Sequence, residues 1–109
     1  MKESPLFAKS YDFLKWLLLR TTKFPKAQRF VMARRVEECA LGFYEALIEA
    51  GKSPGKKEAL CRADLLLEQL RLHLRLCMDL TLLSFNQYEY AAKEVTEIGR
   101  LLGAWIKKT

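Results

Sequence analysis

An up-down-up-down antiparallel four-helix bundle, all-α and in a single domain, is the fold that this sequence predicts. Three observations predict it. Four stretches repeat their apolar residues at steps of three and four. Three short breaks separate those stretches, and the first two carry proline or glycine. No stretch alternates polar and apolar residues as a half-buried strand does, and there is no internal repeat or low-complexity segment. Short connections make successive helices antiparallel neighbours.

The first helix is expected over residues 4–22. Ser4 is an N-cap followed by a proline at N1, where the missing N–H does no harm. Phe7, Tyr11, Leu14, Leu17 and Leu18 form its apolar stripe, with Trp16 and Leu19 outside it. Thr21-Thr22-Lys23-Phe24-Pro25 then breaks the pattern. The second helix follows from Pro25 or Lys26 to Ala50, with Val36, Ala40, Phe43 and Leu47 as its core line. Gly51 is the expected C′ residue, and Ser53-Pro54-Gly55 completes the turn.

The third helix is expected over residues 56–81. Its core line is Ala63, Leu66, Leu67, Leu70, Leu74, Cys77, Met78 and Thr81. After a link near 82–86, Ser84 or Asn86 caps a fourth helix running to Lys107, about 87–107. Ser84 and Gln87 have the spacing of a capping box. Ala91, Val95, Ile98, Leu102 and Trp105 make a heptad-like seam for a neighbouring helix.

Helix three has more apolar surface than one core needs. With Leu70 at 0° and about 100° per residue, its core line covers roughly −40° to +80°. Leu65, Leu72, Leu76 and Leu83 fall near −120° to −160°, with Leu80 close by. A helix apolar on two faces is buried on both. The second face is therefore expected to pack on another subunit. Gly99 and Gly103, four apart on helix four, each cost about 1 kcal/mol against alanine. They imply close approach of another backbone, inside the bundle or across a subunit boundary.

The chain has 109 residues, half of them hydrophobic, and a formal net charge of +6. Residues 1–35 carry +7, residues 36–50 carry −4 and residues 51–109 carry +3. This excess favours polyanionic or acidic partners. Lys23, Lys26, Arg29, Arg34 and Arg35 cluster around the first turn, and Lys52, Lys56, Lys57 and Arg62 around the second. These are the candidate nucleic-acid contacts. Arg71 and Arg75 share one stripe of helix three with Asp64 and Glu68, so intrahelical ion pairs compete for them.

Catalytic signatures are missing from the sequence. His73 is the single histidine and reads as a partly buried structural imidazole. No Glu-x-x-His di-iron motif, phosphate-cradling glycine loop or nuclease-type Arg-to-His spacing occurs. Glu37 and Glu38 read as solvated charges. Cys39, Cys61 and Cys77 are odd in number and never in a C-x-x-C pair, so neither a disulfide framework nor structural zinc is expected. They read as small buried hydrophobes in a reducing cytoplasm. No apolar window has the length of a signal peptide core or a membrane span. A binding protein without cofactor or metal is the expectation.

Three segments carry a family resemblance. They are Glu97-Ile-Gly-Arg-Leu-Leu-Gly-Ala-Trp-Ile106, the turn Phe24-Pro-Lys-Ala-Gln-Arg-Phe30, and Leu70-Arg-Leu-His-Leu-Arg75; the helix end Glu45–Ala50 agrees with them. Together they resemble the Avd proteins, bacterial and phage-encoded accessory variability determinants of diversity-generating retroelements. The likeness runs from about Tyr11 to Lys107. It implies a homopentameric barrel of four-helix bundles that binds the retroelement reverse transcriptase and its template RNA or RNA/DNA hybrid. It also implies a role in mutagenic reverse transcription and retrohoming. Within the matching Leu-Arg-x-x-Leu-Arg string, Arg71 and Arg75 correspond to the family's reverse-transcriptase-contacting pair, and Gly99 and Gly103 map directly. The Phe-Pro-Lys turn also resembles the four-helix-bundle family encoded in ribosomal RNA intervening sequences. The alternative is thus an oligomeric bundle of that family with a nucleic-acid or protein scaffolding role.

Overall fold

The computed structural model describes residues 4–109, which form four helices. α1 spans Pro5–Thr21, α2 residues 26–52, α3 Lys56–Asp79 and α4 Phe85–Lys108. Each packs on its neighbours in the chain, and α1 also packs on α4, which closes the ring of an antiparallel bundle. The molecule measures 41 × 24 × 24 Å. Its long axis is a 24-residue helix of about 36 Å plus the turns.

Ser4 caps α1 as expected, its Oγ accepting from the Phe7 N–H at 3.3 Å. The apolar stripe of α1 has a different phase from the expected one. Leu6, Phe13 and Leu17 are buried together with Ser10 and Thr21, whereas Tyr11 is exposed and Phe7, Leu14 and Leu18 are half-buried. The reason is that α1 is apolar on both flanks as well as at its centre. Phe7 lies edge-on to Tyr44 of α2, at 6.1 Å between centroids. On the opposite flank Trp16 sits 4.8 Å from Tyr90 of α4, and Lys9 pairs with Glu94 at 3.3 Å.

The first turn is anchored by the buried ring of Phe24. Thr21, also buried, donates its hydroxyl to Glu37 Oε2 at 2.7 Å. Glu37 is therefore not a solvated charge but a tie between the end of α1 and α2.

α2 is not uniform. A short α turn, Lys26–Gln28, leads into a π-helical turn, Arg29–Ala33, and then into the regular helix Arg34–Lys52. In an unbroken α-helix Arg29 would fall about 40° from Phe43 and point into the core. The wider π turn accommodates an extra residue. Met32 and Ala33 stay buried while Arg29 is carried out to solvent. At its other end α2 continues through Gly51 and stops at extended Ser53, so Gly51 is helical and not a left-handed cap.

α3 ends at Asp79, two residues short of the expectation. The Leu82 N–H bonds the Cys77 carbonyl at 2.7 Å and the Thr81 N–H bonds that of Met78 at 3.0 Å. This pair is a Schellman motif, in which the C′ residue is left-handed and usually glycine. Here that residue is Thr81, with φ 61°. Thr81 is thus exposed and not part of the core line. Leu83 lies beyond the turn and no longer follows the α3 wheel; it is 3% exposed and belongs to the core. That removes Leu83 from the expected subunit interface. Ser84 then caps α4 with a complete capping box, its Oγ accepting from Gln87 N at 3.1 Å and its N–H donating to Gln87 Oε1 at 3.0 Å.

The remaining core lines are as expected. Val36, Ala40, Phe43 and Leu47 of α2 are buried against Ala63, Leu67, Leu70, Leu74 and Cys77 of α3 and Ala91, Val95, Ile98 and Leu102 of α4. Leu66, Met78 and Trp105 flank this core, half-buried. Cys39 and Cys77 are buried, but Cys61 is exposed. Among the described residues no helix is long and apolar enough to cross a membrane.

A left-handed, β-branched residue is strained by about 1–2 kcal/mol. Thr81→Gly is expected to stabilise the fold by about 1 kcal/mol, read as a higher urea midpoint with an unchanged slope.

Candidate nucleic-acid and partner interface

α3 contacts α2 on one flank and α4 on the other. Toward α2, Leu66 packs on Gly42, His73 approaches Cys39 and Arg62 pairs with Glu49. Toward α4, Leu67 and Arg71 meet Gly99. Two strips of α3 remain outside these seams. One is apolar: Leu65 is 57% exposed and Leu72 59%, with Leu76 and Leu80 also exposed. The other carries Arg75, exposed and without an ion pair among the described residues.

Arg71 behaves differently from Arg75. It is half-buried and lies across the α3–α4 seam. Its Nε is 3.5 Å from Glu68 Oε1 and its Nη1 donates to Thr96 Oγ1 at 3.5 Å. A Cβ at Gly99 would come within 3.0 Å of Arg71 Nη2. Gly99 is therefore used within the subunit, as a bare stretch of helix on which the guanidinium rests. The neighbour is thus a side chain of the same bundle rather than the expected backbone. A Cβ at Gly103 would meet open space, so nothing within the bundle requires that glycine.

The expected nucleic-acid residues fall into two groups. The bundle topology puts Lys23, Lys26, Arg29, Arg34 and Arg35 near one end and Lys56, Lys57 and Arg62 near the other. Roughly 25–30 Å of helix separates the groups. Arg34 pairs with Glu38 at 3.3 Å, Arg62 with Glu49, and Arg29 donates to the Phe24 carbonyl at 3.3 Å. Lys23, Lys26, Arg35, Lys56 and Lys57 are exposed. Asp12 and Glu37 bracket 24 residues with no carboxylate and seven Lys or Arg. The α1–α2 side of the first end is therefore strongly cationic. Phe30 also lies there, 78% exposed. It belongs to none of the expected sets, although its position off the Val36–Leu47 core line marks it as outward-facing.

No activated nucleophile comes out of the one Cys–His juxtaposition. Cys39 Sγ is 4.0 Å from His73 Nδ1. That nitrogen lies 2.6 Å from the Gln69 carbonyl. A carbonyl only accepts, so Nδ1 carries the proton and cannot take one from the thiol. Burial raises the Cys39 pKa and pushes that of Cys77 up to about 11. Both thiols therefore stay protonated at neutral pH. No cluster of three or more His, Cys, Asp or Glu among the described residues suits a metal ion.

Residues 6–109 match the family model described as bAvd-like. The chain belongs to the bAvd-like family. The family is of an accessory, non-catalytic kind, that of the Avd proteins of diversity-generating retroelements. No curated protein matches the chain. Among solved structures, the chain is similar to a protein of unknown function from the S23 ribosomal protein family of Bacteroides thetaiotaomicron VPI-5482. The TM-score is 0.84 at 22% identity, over 94% of this chain and 98% of that one. This likeness shows a shared four-helix fold.

Within a bAvd-like bundle of this geometry, Gly99→Ala isolates the seating of Arg71. The displaced atoms are the far end of a flexible side chain, so stability should change by less than about 1 kcal/mol. In arginine side-chain NMR the Arg71 Nε–H resonance, dispersed in the wild type, should move into the envelope of free arginines.

Proposed function

We propose that this bAvd-like chain is a non-catalytic accessory subunit of a diversity-generating retroelement. It assembles with copies of itself and binds the retroelement reverse transcriptase together with template RNA and its cDNA hybrid. In this way it supports mutagenic reverse transcription and retrohoming. The observation that carries the reading is the carboxylate-free cationic stretch between Asp12 and Glu37, whose Lys23, Lys26, Arg29, Arg34 and Arg35 are exposed near one end of a family member with no activated nucleophile. Such a surface neutralises phosphates and releases their counterions.

The apolar strip of α3 supports assembly. Leu65, Leu72 and Leu76 face solvent in the isolated subunit, and burying each is worth about 1.5–3 kcal/mol. Leu80, at the end of α3, extends the strip, and Gly103 offers a place for a neighbouring backbone. A homopentamer is the first stoichiometry to test. Arg71, on the α3–α4 seam, and Arg75, one turn further and exposed, are the proposed contacts for the reverse transcriptase. The partly seated Arg71 is the more preorganised of the two. Lys23, Lys26, Arg29, Arg34 and Arg35 are the proposed nucleic-acid contacts, with Lys56, Lys57 and Arg62 as a second group.

Light scattering of the purified protein at micromolar concentration should give a multimer. Leu65→Glu with Leu72→Glu should lower the mass without loss of helical signal. A wild-type monomer would remove the assembly reading. Binding to template RNA should weaken steeply with salt, log K falling by about 0.7–0.9 per log salt for each phosphate neutralised. Arg71→Ala with Arg75→Ala should reduce capture of the co-expressed reverse transcriptase; unchanged capture would move that contact elsewhere.

A further inference from the structure

The π-helical turn of α2 gives the cationic end a particular form. Lys26, Phe30 and Arg34 follow one another at four-residue steps, and all three are exposed. Winding back from Arg34 through the π turn places them within about 50° of one another on the outward face. They are spaced by about 6 Å of rise per step. Phe30 makes no ring contact among the described residues, and beside it Val31 is exposed as well. Lys23, Arg29 and Arg35 flank this face. The one carboxylate paired to it, Glu38 on Arg34, is itself mostly exposed. Such a surface pair is weak and readily gives way to a phosphate.

An aromatic face bracketed by two cations, one turn to either side, suits a particular ligand chemistry. Unpaired bases stack on exposed rings while the neighbouring phosphates meet Lys or Arg, and every base offers a π-face to stack. A base inside a duplex has no free face to offer. A protein partner would need complementary carboxylates as well as an apolar contact, and an apolar subunit contact would gain nothing from the surrounding cations.

We propose that Lys26, Phe30 and Arg34 form a stacking site for an unpaired nucleotide of single-stranded nucleic acid. The site rests on the nucleic-acid part of the proposed function and narrows it. Phe30 takes the base, and Lys26 and Arg34 take the phosphates on either side of it. The site distinguishes unpaired from paired strands and is indifferent to base identity.

The test uses the full chain, a labelled mixed-sequence single-stranded RNA of twenty nucleotides, and the same strand annealed to its complement. Phe30→Ala should weaken single-strand binding by about tenfold and leave duplex binding and the salt slope unchanged. Phe30→Trp should retain single-strand binding. Because the ring is exposed, the helical signal should be the same in all variants. Equal loss on both RNAs, no loss on either, or a change in oligomeric mass on Phe30→Ala would overturn the stacking site. Wild-type protein that binds neither RNA at low salt would instead overturn the nucleic-acid reading on which it rests.

Discussion

Small residues line the core where α2 and α3 come together. Ala46 and Ala50 of α2 and Ala59 and Ala63 of α3 are all buried, and Gly42 accepts the end of Leu66. Small side chains let two helices approach closely, and close approach multiplies dispersion contacts that are individually weak. The rest of the bundle follows from this seam. With α2 on one flank and α4 on the other, α3 has no neighbour for its third face. Leu65, Leu72 and Leu76 are therefore left outward by the topology, because four helices in a ring give each only two partners.

The charges follow the same geometry. Carboxylates are spent locally where α2 and α3 meet solvent: Glu38 holds Arg34, Glu49 holds Arg62 and Glu68 approaches Arg71. The stretch from the end of α1 through the π turn has no carboxylate of its own, and the single acid that reaches into it, Glu37, accepts from Thr21. The net charge is therefore concentrated where the first turn emerges. A uniform spread of six excess charges would give weak attraction everywhere. Concentration at one end gives a directional field.

The sequence made the fold class and three of the four core lines legible. α2 and α4 each present one polar and one apolar side, and on α3 the longer apolar line is the buried one, so the spacing of Val36 to Leu47, Ala63 to Cys77 and Ala91 to Leu102 identifies the buried face. α1 was ambiguous because Phe7, Trp16 and Leu18 on its flanks are as apolar as Leu6, Phe13 and Leu17 at its centre. The end of α3 was hidden because a threonine occupies the left-handed position where glycine would have signalled a stop. That two-residue error carried Leu83 onto the wrong face. Of the candidate site, the cationic cluster and the outward leucines were readable from charge and periodicity. The resting place of Arg71 on Gly99 was not, because it joins residues 28 apart along the chain and depends on the relative rotation of two helices.

The π turn of Arg29–Ala33 also bears on how this chain can vary. A π turn is an α turn with one residue inserted. Deleting one residue of the π turn would let α2 wind as an uninterrupted helix, because the turn holds one residue more than an α-helix needs there. Arg29 would then fall about 140° from Phe43 and stay outward. Phe24 would keep its buried seat and Thr21 its line to Glu37. A chain one residue shorter in this turn therefore builds the same bundle, whereas one residue removed from the regular part of α2 would rotate everything before it by about 100°.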